Sequence, residues 1–300
     1  MGICRNCSIF TAFVAASLFA VAACSNNPAS NNNGSAGAPG TGGDGNAAGS
    51  SNLGGASAAG GAVGAGGSPA TIIDAGPLGC GSGTYAFCDD FEDGNATGWT
   101  SAEQSGSTPG DWAVASDNGP SGATTFSFQQ KAVNTGHHYQ YPSSPPGGPW
   151  TDQTVTAWVK PTNALGDDAT KIGLCARATG SAATNSFSGY CIFLRTDGTG
   201  TNGKLQVSKK VSGSSMSSMD TSTAAVPLFA KNTWYKVKVK IVGTSPITVT
   251  GYVNDVPLIE WQEAEDAAAP LASGGPAIVT RASGTLPATA NFDDVTLTSP

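Results

Sequence analysis

Apolar and polar residues alternate with a period of two along most of the chain after Cys88, which is the pattern of β-strands with one buried face. Turn signals separate the runs, among them Asp197-Gly198, Asn202-Gly203 and Gly274-Gly275. The predicted strands are 112–115, 124–131, 154–160, 171–178, 189–196, 204–211, 233–242, 247–254 and 277–280. No stretch keeps a helical period over three turns, and 262–269 is the one candidate for a short helix. The pattern predicts an all-β fold, either a sandwich or a barrel.

Two carboxylate-rich stretches bound this region, 87–94 (FCDDFEDG) and 292–297 (FDDVTL). Each reads as a short apolar strand, and we expect the two strands to pair so that the domain closes on itself. Their acidic residues are Asp89, Asp90, Glu92, Asp93, Asp293 and Asp294. Converging carboxylates repel one another unless they are protonated or bridged by a cation, which predicts an oxygen-ligated ion, calcium by default. The alternative is that turn-forming Asp and Gly only cap strand ends in solvent.

The N-terminus has the features of an export signal. Arg5 precedes an apolar run over 9–23 that is too short to span a bilayer comfortably, and Val21-Ala22-Ala23-Cys24 follows. Small residues before a Cys at this position resemble a bacterial lipobox. The resemblance implies that residues 1–23 are cleaved, that Cys24 is lipidated and that the protein is exported. The alternative is an ordinary signal peptide with an incidental Cys. Ser25 carries no acidic retention signal, which favours the outer membrane.

Residues 24–79 consist largely of Gly, Ala, Ser and Asn, and Asp44 is the one charged residue before Ile72. Such a stretch buries too little apolar surface to offset the entropy of ordering it. It is therefore predicted to be a disordered tether. Residues 80–300 have a length that suits one all-β domain.

Charge excludes one class of partner. The chain has 21 acidic and 14 basic residues and a formal net charge of −7. No basic patch of the kind that neutralises phosphates is visible in the sequence, so nucleic acid is not expected as a partner. Lys236, Lys238 and Lys240 alternate along one predicted strand and are interpreted as a solvated face. We expect a monomer.

The seven cysteines fall into three groups according to their position in the chain. Two leave with the signal and one is the proposed anchor, so four remain in the domain: Cys80, Cys88, Cys175 and Cys191. An even number in an exported domain predicts disulfides, with three pairings open. Proximity favours Cys80 with Cys88, and Cys175 with Cys191 on consecutive strands. A zinc site is the alternative, but the four cysteines lack CxxC spacing.

The second pairing also predicts a core. If Cys175 faces Cys191, strict alternation assigns one common face to six apolar residues. They are Ile172, Leu174, Ala176, Tyr190, Ile192 and Leu194.

Several motifs resemble known families. FEDGNATGW at 91–99 and the closing FDDVTL resemble the ends of carbohydrate-binding jelly rolls of the xylan- and glucan-binding modules. The stretches 175–198, 234–243 and 247–258 are similar to concanavalin A-like lectin/glucanase domains of the laminin-G-like type. The resemblance implies a β-sandwich of two antiparallel sheets, a jelly roll, with one concave outer face and a structural calcium joining the termini. Its side-chain ligands would be Glu92 and Asp293, and we expect the ion far from Trp158 and Arg177.

In such sandwiches glycans lie across the concave outer sheet, where rings stack on sugars and polar side chains bond the hydroxyls. Alternation assigns Arg177, Phe193 and Arg195 to the side opposite the core, and Trp158 to the polar side of its strand. These four are the predicted ligand-binding residues. The predicted function is a surface-anchored, non-catalytic lipoprotein that binds a polysaccharide.

Three alternatives remain open. A glycoside hydrolase on this fold needs three acids on one strand in an ExDxxE arrangement. The chain has one acidic run after a predicted strand, but its spacing differs: Glu260, Glu263, Glu265 and Asp266. A polysaccharide lyase needs a Tyr or His base beside an Arg, for which the candidates near Arg177 are His137, His138, Tyr139 and Tyr141. The prolines over 142–149 favour a loop there rather than a cleft strand. The third alternative is an adhesion protein whose ligand is another protein.

Overall fold

The structure is a computed structural model, and it describes residues 80–81, 83–103, 109–133, 135–143, 148–166, 170–224, 226–264, 270–283 and 286–299. The predicted signal peptide, Cys24 and the predicted tether lie outside these residues. Within them all regular structure consists of β-strands. The described part of the chain contains no helix with the length and apolar character needed to cross a membrane.

Eight strands form one antiparallel sheet. Its order is β13-β12-β11-β6-β15-β4-β3, with β1 pairing on β15. The strands are β1 (Phe87–Asp89), β3 (Trp112–Asn118), β4 (Thr124–Gln130), β6 (Gln153–Pro161), β11 (Tyr235–Val242), β12 (Ile247–Val253), β13 (Val256–Glu263) and β15 (Ala290–Thr298).

Seven strands form the second antiparallel sheet, in the order β10-β9-β8-β7-β14-β5-β2. They are β2 (Trp99–Glu103), β5 (Gly136–Pro142), β7 (Thr170–Ser181), β8 (Ser186–Thr196), β9 (Gly203–Lys210), β10 (Ser217–Thr221) and β14 (Gly275–Ala282). The two sheets make a sandwich of the jelly-roll type, as predicted.

The main core lies between the sheets, where strands of both sheets contribute inward-facing apolar residues. From β7 and β8 it takes the six residues that alternation predicted, all of them fully buried. The facing sheet contributes residues such as Val155, Val239 and Phe292. The predicted core face is confirmed.

Both predicted disulfides are confirmed. Cys175 and Cys191 are direct register partners on β7 and β8 and are bonded to each other. Cys80 is bonded to Cys88. The pairing of the chain ends is also confirmed, since β1 lies antiparallel to β15 with Phe87 opposite Leu297.

All nine predicted strands are present, although their ends differ by up to three residues at most boundaries. Four strands were not predicted, β2, β5, β10 and β13. The helix prediction at 262–269 is wrong for its described part, since Gln262 and Glu263 end β13. His137 to Tyr141 lie on β5, and the loop predicted over 142–149 begins where β5 ends at Pro142, since Ser143, Gly148 and Pro149 lie outside the strands.

Candidate functional site

The outer face of the seven-stranded sheet, the side turned away from the core, carries a second apolar cluster. It includes the Cys175–Cys191 bridge, Phe193, Tyr139 and Val279, all of them fully buried. Successive residues of a strand point to opposite faces, so these residues alternate with the core positions. An outer sheet face that is apolar at its centre differs from the polar face expected of a two-layer sandwich in water.

The far end of the β7–β8 hairpin bends over this face. Pairing between the two strands shifts between Ala176 and Thr179. Beyond that bulge Asn185 accepts a hydrogen bond of 2.7 Å from the backbone N–H of Glu103 on β2. The ring of Phe187 stacks on Tyr139 of β5, with 3.9 Å between centroids. The hairpin therefore covers the β5 and β2 side of the face.

Gly180 permits the close approach of the hairpin. A Cβ atom at this position would lie 2.5 Å from a ring carbon of Tyr141. Any other residue would force either the Tyr141 ring or the hairpin to shift.

A polar cavity of about 660 Å³ lies on this side of the sheet, between the hairpin end and the loop after β9. Most of the residues that line it carry hydroxyl, amide or charged groups: Glu103, Thr184, Asn185, Ser186, Phe187, Lys210, Ser212, Gly213, Ser214 and Ser215. Lys210 donates to the backbone carbonyl of Ser214, and burial lowers the pKa of this lysine. The cavity thus combines many hydrogen-bonding groups with one ring.

Basic residues cross the outer face from strand to strand at one level of the sheet. The register pairs Arg195 with Lys204, Lys171 with Arg281, and Arg281 with His137. Lys171 also lies beside Arg195, since the same pairing places Ile172 opposite Leu194. We call Lys204, Arg195, Lys171 and Arg281 the basic row.

His137 lies at the end of the basic row and is uncharged at neutral pH. Burial, together with the positive charges of Arg281, Lys171 and Lys210, lowers the pKa of His137 to about 3. Its ring is stacked with that of Tyr139 at 5.9 Å. Burial raises the pKa of Tyr139, and the Tyr139 hydroxyl has no hydrogen-bond partner among the described residues. A buried hydroxyl without a partner is unusual in a folded protein and marks a site where a ligand group could bond.

Two of the four predicted ligand-binding residues lie on this outer face. Phe193 belongs to its apolar cluster and is fully buried, with the Lys171 ammonium 5.5 Å from the ring centroid. Arg195 is half-buried and donates from Nε to the backbone carbonyl of Thr196 at 3.0 Å. The structure brings these two residues together.

Arg177 lies elsewhere, and the alternation that assigned it to the outer face is wrong. Its φ of 47° belongs to the bulge, which interrupts the period of two. The guanidinium is fully buried and donates to backbone carbonyls at one end of the sandwich, those of Thr151 (2.7 Å), Leu271 (2.9 Å) and Gly243. Arg177 joins three loops rather than facing a ligand.

Trp158 lies on the other sheet. It is half-buried on β6, with Lys236 and Asp293 as its register partners on the neighbouring strands. It therefore does not share a face with Phe193 and Arg195. The expectation that the ion site is far from Trp158 is wrong as well, because Asp293 is its direct neighbour.

Two other tryptophans make structural contacts. The indole N–H of Trp99 donates to Asp89 at 2.7 Å, and that of Trp234 donates to the backbone carbonyl of Asn118 at 2.7 Å. The ammonium of Lys160 lies 4.7 Å from the Trp234 ring.

The carboxylates at the paired chain ends form the candidate ion site. Asp293 is 3% exposed. Its burial and the negative charges of Asp294, Glu92 and Asp90 raise its pKa to about 8, while the backbone N–H of Asp294 donates to it at 2.8 Å. A buried carboxylate beside like charges needs a proton or a cation, so the chemistry of Asp293 fits the predicted calcium.

Two of the neighbouring carboxylates already accept hydrogen bonds from backbone N–H groups. Asp90 accepts from the backbone N–H of Cys80 at 3.1 Å, and Glu92 accepts from that of Phe126 at 3.2 Å. Within the described residues, no three His, Cys, Asp or Glu side chains are grouped so that they could hold a metal ion. Calcium at this place would therefore take further ligands from backbone carbonyls or water, which calcium accepts.

Two residues of the predicted acidic run, Glu260 and Glu263, lie on β13, and Glu263 has a structural role. Glu263 is buried and accepts hydrogen bonds from the Tyr190 hydroxyl and the Lys209 ammonium. Glu260 is exposed. Glu265 and Asp266 lie outside the described residues.

Sequence reasoning missed Glu103, Lys210, Arg281 and the serines that line the cavity. Lys210 lay on a predicted strand and Arg281 directly followed one, but only the pairing of β7 with β14 places Arg281 beside Lys171. Glu103 lies on β2, which was not predicted.

No protein-family model matches the chain, and no curated protein matches it. Several solved structures are similar in fold. One is the carbohydrate-binding module CBM66 from Bacillus subtilis, with 18% identity over 68% of this chain and 98% of that chain and a TM-score of 0.44. Another is the cellulose-induced protein Cip1, with 16% identity over 71% and 97% and a TM-score of 0.49. A third is an endo-β-1,4-glucuronan lyase from the fungus Trichoderma reesei, with 11% identity over 72% and 96% and a TM-score of 0.43. All three TM-scores are below 0.5, so the fold assignment rests on the two sheets themselves.

Proposed function

We propose that this protein is a non-catalytic carbohydrate-binding lipoprotein that holds a polysaccharide on the outer face of its seven-stranded sheet. The observation that supports this most directly is the cavity of about 660 Å³ on that face. Its volume lies in the range of small-molecule sites, which are usually concave and carry a few convergent polar groups.

The lining of the cavity matches the chemistry of sugars. Side-chain hydroxyls both donate and accept hydrogen bonds, and so do the hydroxyls of a sugar ring. Thr184, Ser186 and Ser215 supply such groups, and Asn185 adds an amide. The Phe187 ring supplies an apolar surface for the faces of sugar rings.

The anchor, the location and the ion are parts of the same proposal. The lipobox-like sequence before Cys24 supports lipidation and export to the outer membrane, and the composition of 25–79 supports a tether. The buried Asp293 supports a structural calcium with Glu92 as the second side-chain ligand. We expect the protein to act as a monomer.

Binding of the full chain to a glycan array tests the function. Ser215→Leu would fill part of the cavity and is expected to weaken binding at least about 10-fold, the effect of losing one to two hydrogen bonds to the ligand. Ser121→Leu is the matched control, since Ser121 is an exposed serine on the turn between β3 and β4. A chain that binds no glycan, or whose binding is the same in both variants, would contradict the proposal.

A polysaccharide lyase is a second candidate, favoured by one observation. His137 is uncharged and lies beside Arg281 on β14. A neutral imidazole beside a guanidinium has the arrangement of a lyase base and its charge-neutralising partner, but a pKa of about 3 makes this imidazole a weak base. The relevant arginine would then be Arg281 rather than Arg177.

Incubation with polyuronates separates the two candidates. In a lyase reaction the imidazole of His137 would accept the proton from carbon 5, the bond from carbon 4 to the leaving oxygen would break, and a double bond would form between the two carbons. The leaving oxygen would take up a proton from the protonated imidazole or from water. Ultraviolet absorbance of the unsaturated product, lost in His137→Ala, would favour the lyase. Binding without any product would favour the non-catalytic protein.

A further inference from the structure

Besides the cavity on the outer face, the structure has a pocket of about 370 Å³ at one edge of the sandwich, where the two sheets end on β2 and β3. β2 supplies Trp99 and Ser101 to its lining, and β3 supplies Trp112. We call it the edge pocket, and no described residue lines both it and the cavity. We propose that the edge pocket is a second binding site, which takes one or two units of a neutral saccharide. The inference rests on the proposed function only for the class of its ligand.

Three aromatic rings meet in the edge pocket. The ring of Phe128, which is 4% exposed, lies 5.8 Å from that of Trp99 and 5.2 Å from that of Trp112, measured between ring centroids. Trp99 and Trp112 are half-buried, so part of each residue stays accessible to solvent. Partly accessible aromatic rings inside a pocket give the apolar faces of sugar rings a surface to pack on.

The indole N–H of Trp112 is a buried donor that has no hydrogen-bond partner among the described residues. Two other indoles are satisfied: that of Trp99 donates to Asp89 at 2.7 Å, and that of Trp234 donates to the backbone carbonyl of Asn118 at 2.7 Å. A buried donor without an acceptor costs free energy and is rare in folded proteins. The Trp112 N–H therefore marks a place where an oxygen of a ligand could bond.

Gly110, which also lines the edge pocket, leaves space beside this donor. A Cβ atom at position 110 would lie 2.5 Å from Nε1 of Trp112. The φ of Gly110 is outside the left-handed region, so alanine could adopt the same backbone conformation. A side chain at this position would thus disturb the indole without straining the backbone.

The other polar groups of the edge pocket are uncharged. Gln140 on β5 is 4% exposed, and its amide N–H donates to the hydroxyl oxygen of Ser101, which keeps its own proton to donate to a ligand. Asn95 accepts a hydrogen bond of 2.8 Å from the backbone N–H of Thr97, which leaves its NH₂ group as a donor. None of the described lining residues is charged, whereas the cavity has two charged residues in its lining. The edge pocket therefore suits a neutral ligand.

The volume of the edge pocket limits the size of that ligand. Small-molecule sites have volumes of about 300–1,000 Å³, and a pocket of about 370 Å³ is near the lower end of this range. The edge pocket suits the end of a chain, while the cavity of about 660 Å³ has room for a longer stretch.

Calorimetric titration of the full chain with neutral tetrasaccharides tests the inference. The probes are cellotetraose, xylotetraose, mannotetraose and galactotetraose, and we expect at least one of them to bind. Gly110→Ala is expected to weaken that binding about 10-fold or more, because the added methyl group fills the space beside Nε1 and displaces the indole. Gly198→Ala is the matched control, since a Cβ atom there meets no other atom within 4 Å.

A second variant tests the unpartnered donor. Trp112→Phe keeps an aromatic ring but removes the N–H, and we expect it to weaken binding about 3- to 10-fold. Trp234→Phe is its control, because the N–H lost there is bonded to the protein. Thermal melting checks that each variant is folded, and Trp112→Phe carries the test if Gly110→Ala is not.

Ser215→Leu, which fills part of the cavity, separates the edge pocket from the site of the proposed function. Binding that survives Ser215→Leu but is weakened in Gly110→Ala or Trp112→Phe would support a second site. Binding that is lost in Ser215→Leu and unchanged in the other two variants would belong to the cavity, which would overturn the inference and leave the proposed function intact. Absence of binding to all four tetrasaccharides would also overturn the inference, and absence of binding to a glycan array as well would overturn the proposed function.

Discussion

Replacing Arg177 with Met should destabilise the domain without acting on the ligand site. The guanidinium is fully buried and donates to three backbone carbonyls, those of Thr151, Leu271 and Gly243. A methionine of similar length would fill the space but leave these acceptors without their donor. The variant therefore tests whether this arginine joins loops or binds a ligand, as alternation in the sequence had predicted.

The magnitude follows from the contacts. Each buried acceptor left unsatisfied costs about 1–3 kcal/mol, so three of them give on the order of 3–9 kcal/mol. Burying a guanidinium has its own desolvation cost, visible in the lowered pKa of Arg177, and Met removes that cost. We expect the free energy of unfolding to fall by about 3–5 kcal/mol, the range for breaking a buried charged network.

Urea denaturation followed by tryptophan fluorescence measures the change, since the chain has six tryptophans. Arg195→Met is the control, because this half-buried arginine lies on the outer face and should change stability by about 0.5 kcal/mol or less. A loss below about 1 kcal/mol in Arg177→Met, combined with lost glycan binding, would refute the structural role.

Three further predictions concern the anchor, the bridge and the ion. Cys24→Ala should abolish labelling by fatty-acid analogues and release the protein from membranes, and unchanged labelling would argue against the anchor. Replacing Cys175 and Cys191 by Ala should lower the free energy of unfolding by about 2–4 kcal/mol in urea denaturation; an unchanged midpoint would contradict this. Calcium at a hundredfold its dissociation constant should add about 2.7 kcal/mol and raise the melting temperature, and Asp293→Asn or Glu92→Gln should remove the response. A melting temperature that changes with neither calcium nor a chelator would mean that these carboxylates are turn residues only.

The sandwich could be predicted because its strands with one buried face show a clear period of two. The pairing of Cys175 with Cys191 then aligned β7 with β8 and identified the core. β5 was missed because both of its faces are buried: Tyr139 points outward and His138 inward, yet both are fully buried, so no alternation of polar and apolar residues marks the strand.

The site was predictable only in part, for three physical reasons. The bulge at Arg177 turns this residue away from the face that alternation assigns to it, and the sequence pattern does not reveal the bulge. Alternation gives the side of a strand but not its sheet, so it could not separate Trp158 from Phe193. The basic row depends on pairing between strands distant in sequence, such as Lys171 with Arg281, which no local pattern encodes.

The attachment of β1 to the last strand has a mechanical consequence. The chain before Cys80 is continuous with this end of the domain, and the bridge to Cys88 carries tension directly past the residues between them. Cys88 in turn lies opposite Thr296 on β15, which is hydrogen-bonded into the middle of the eight-stranded sheet. A pull from the N-terminal side would thus be borne first by the short β1–β15 ladder, and the outer face of the seven-stranded sheet would keep its shape until that ladder parted.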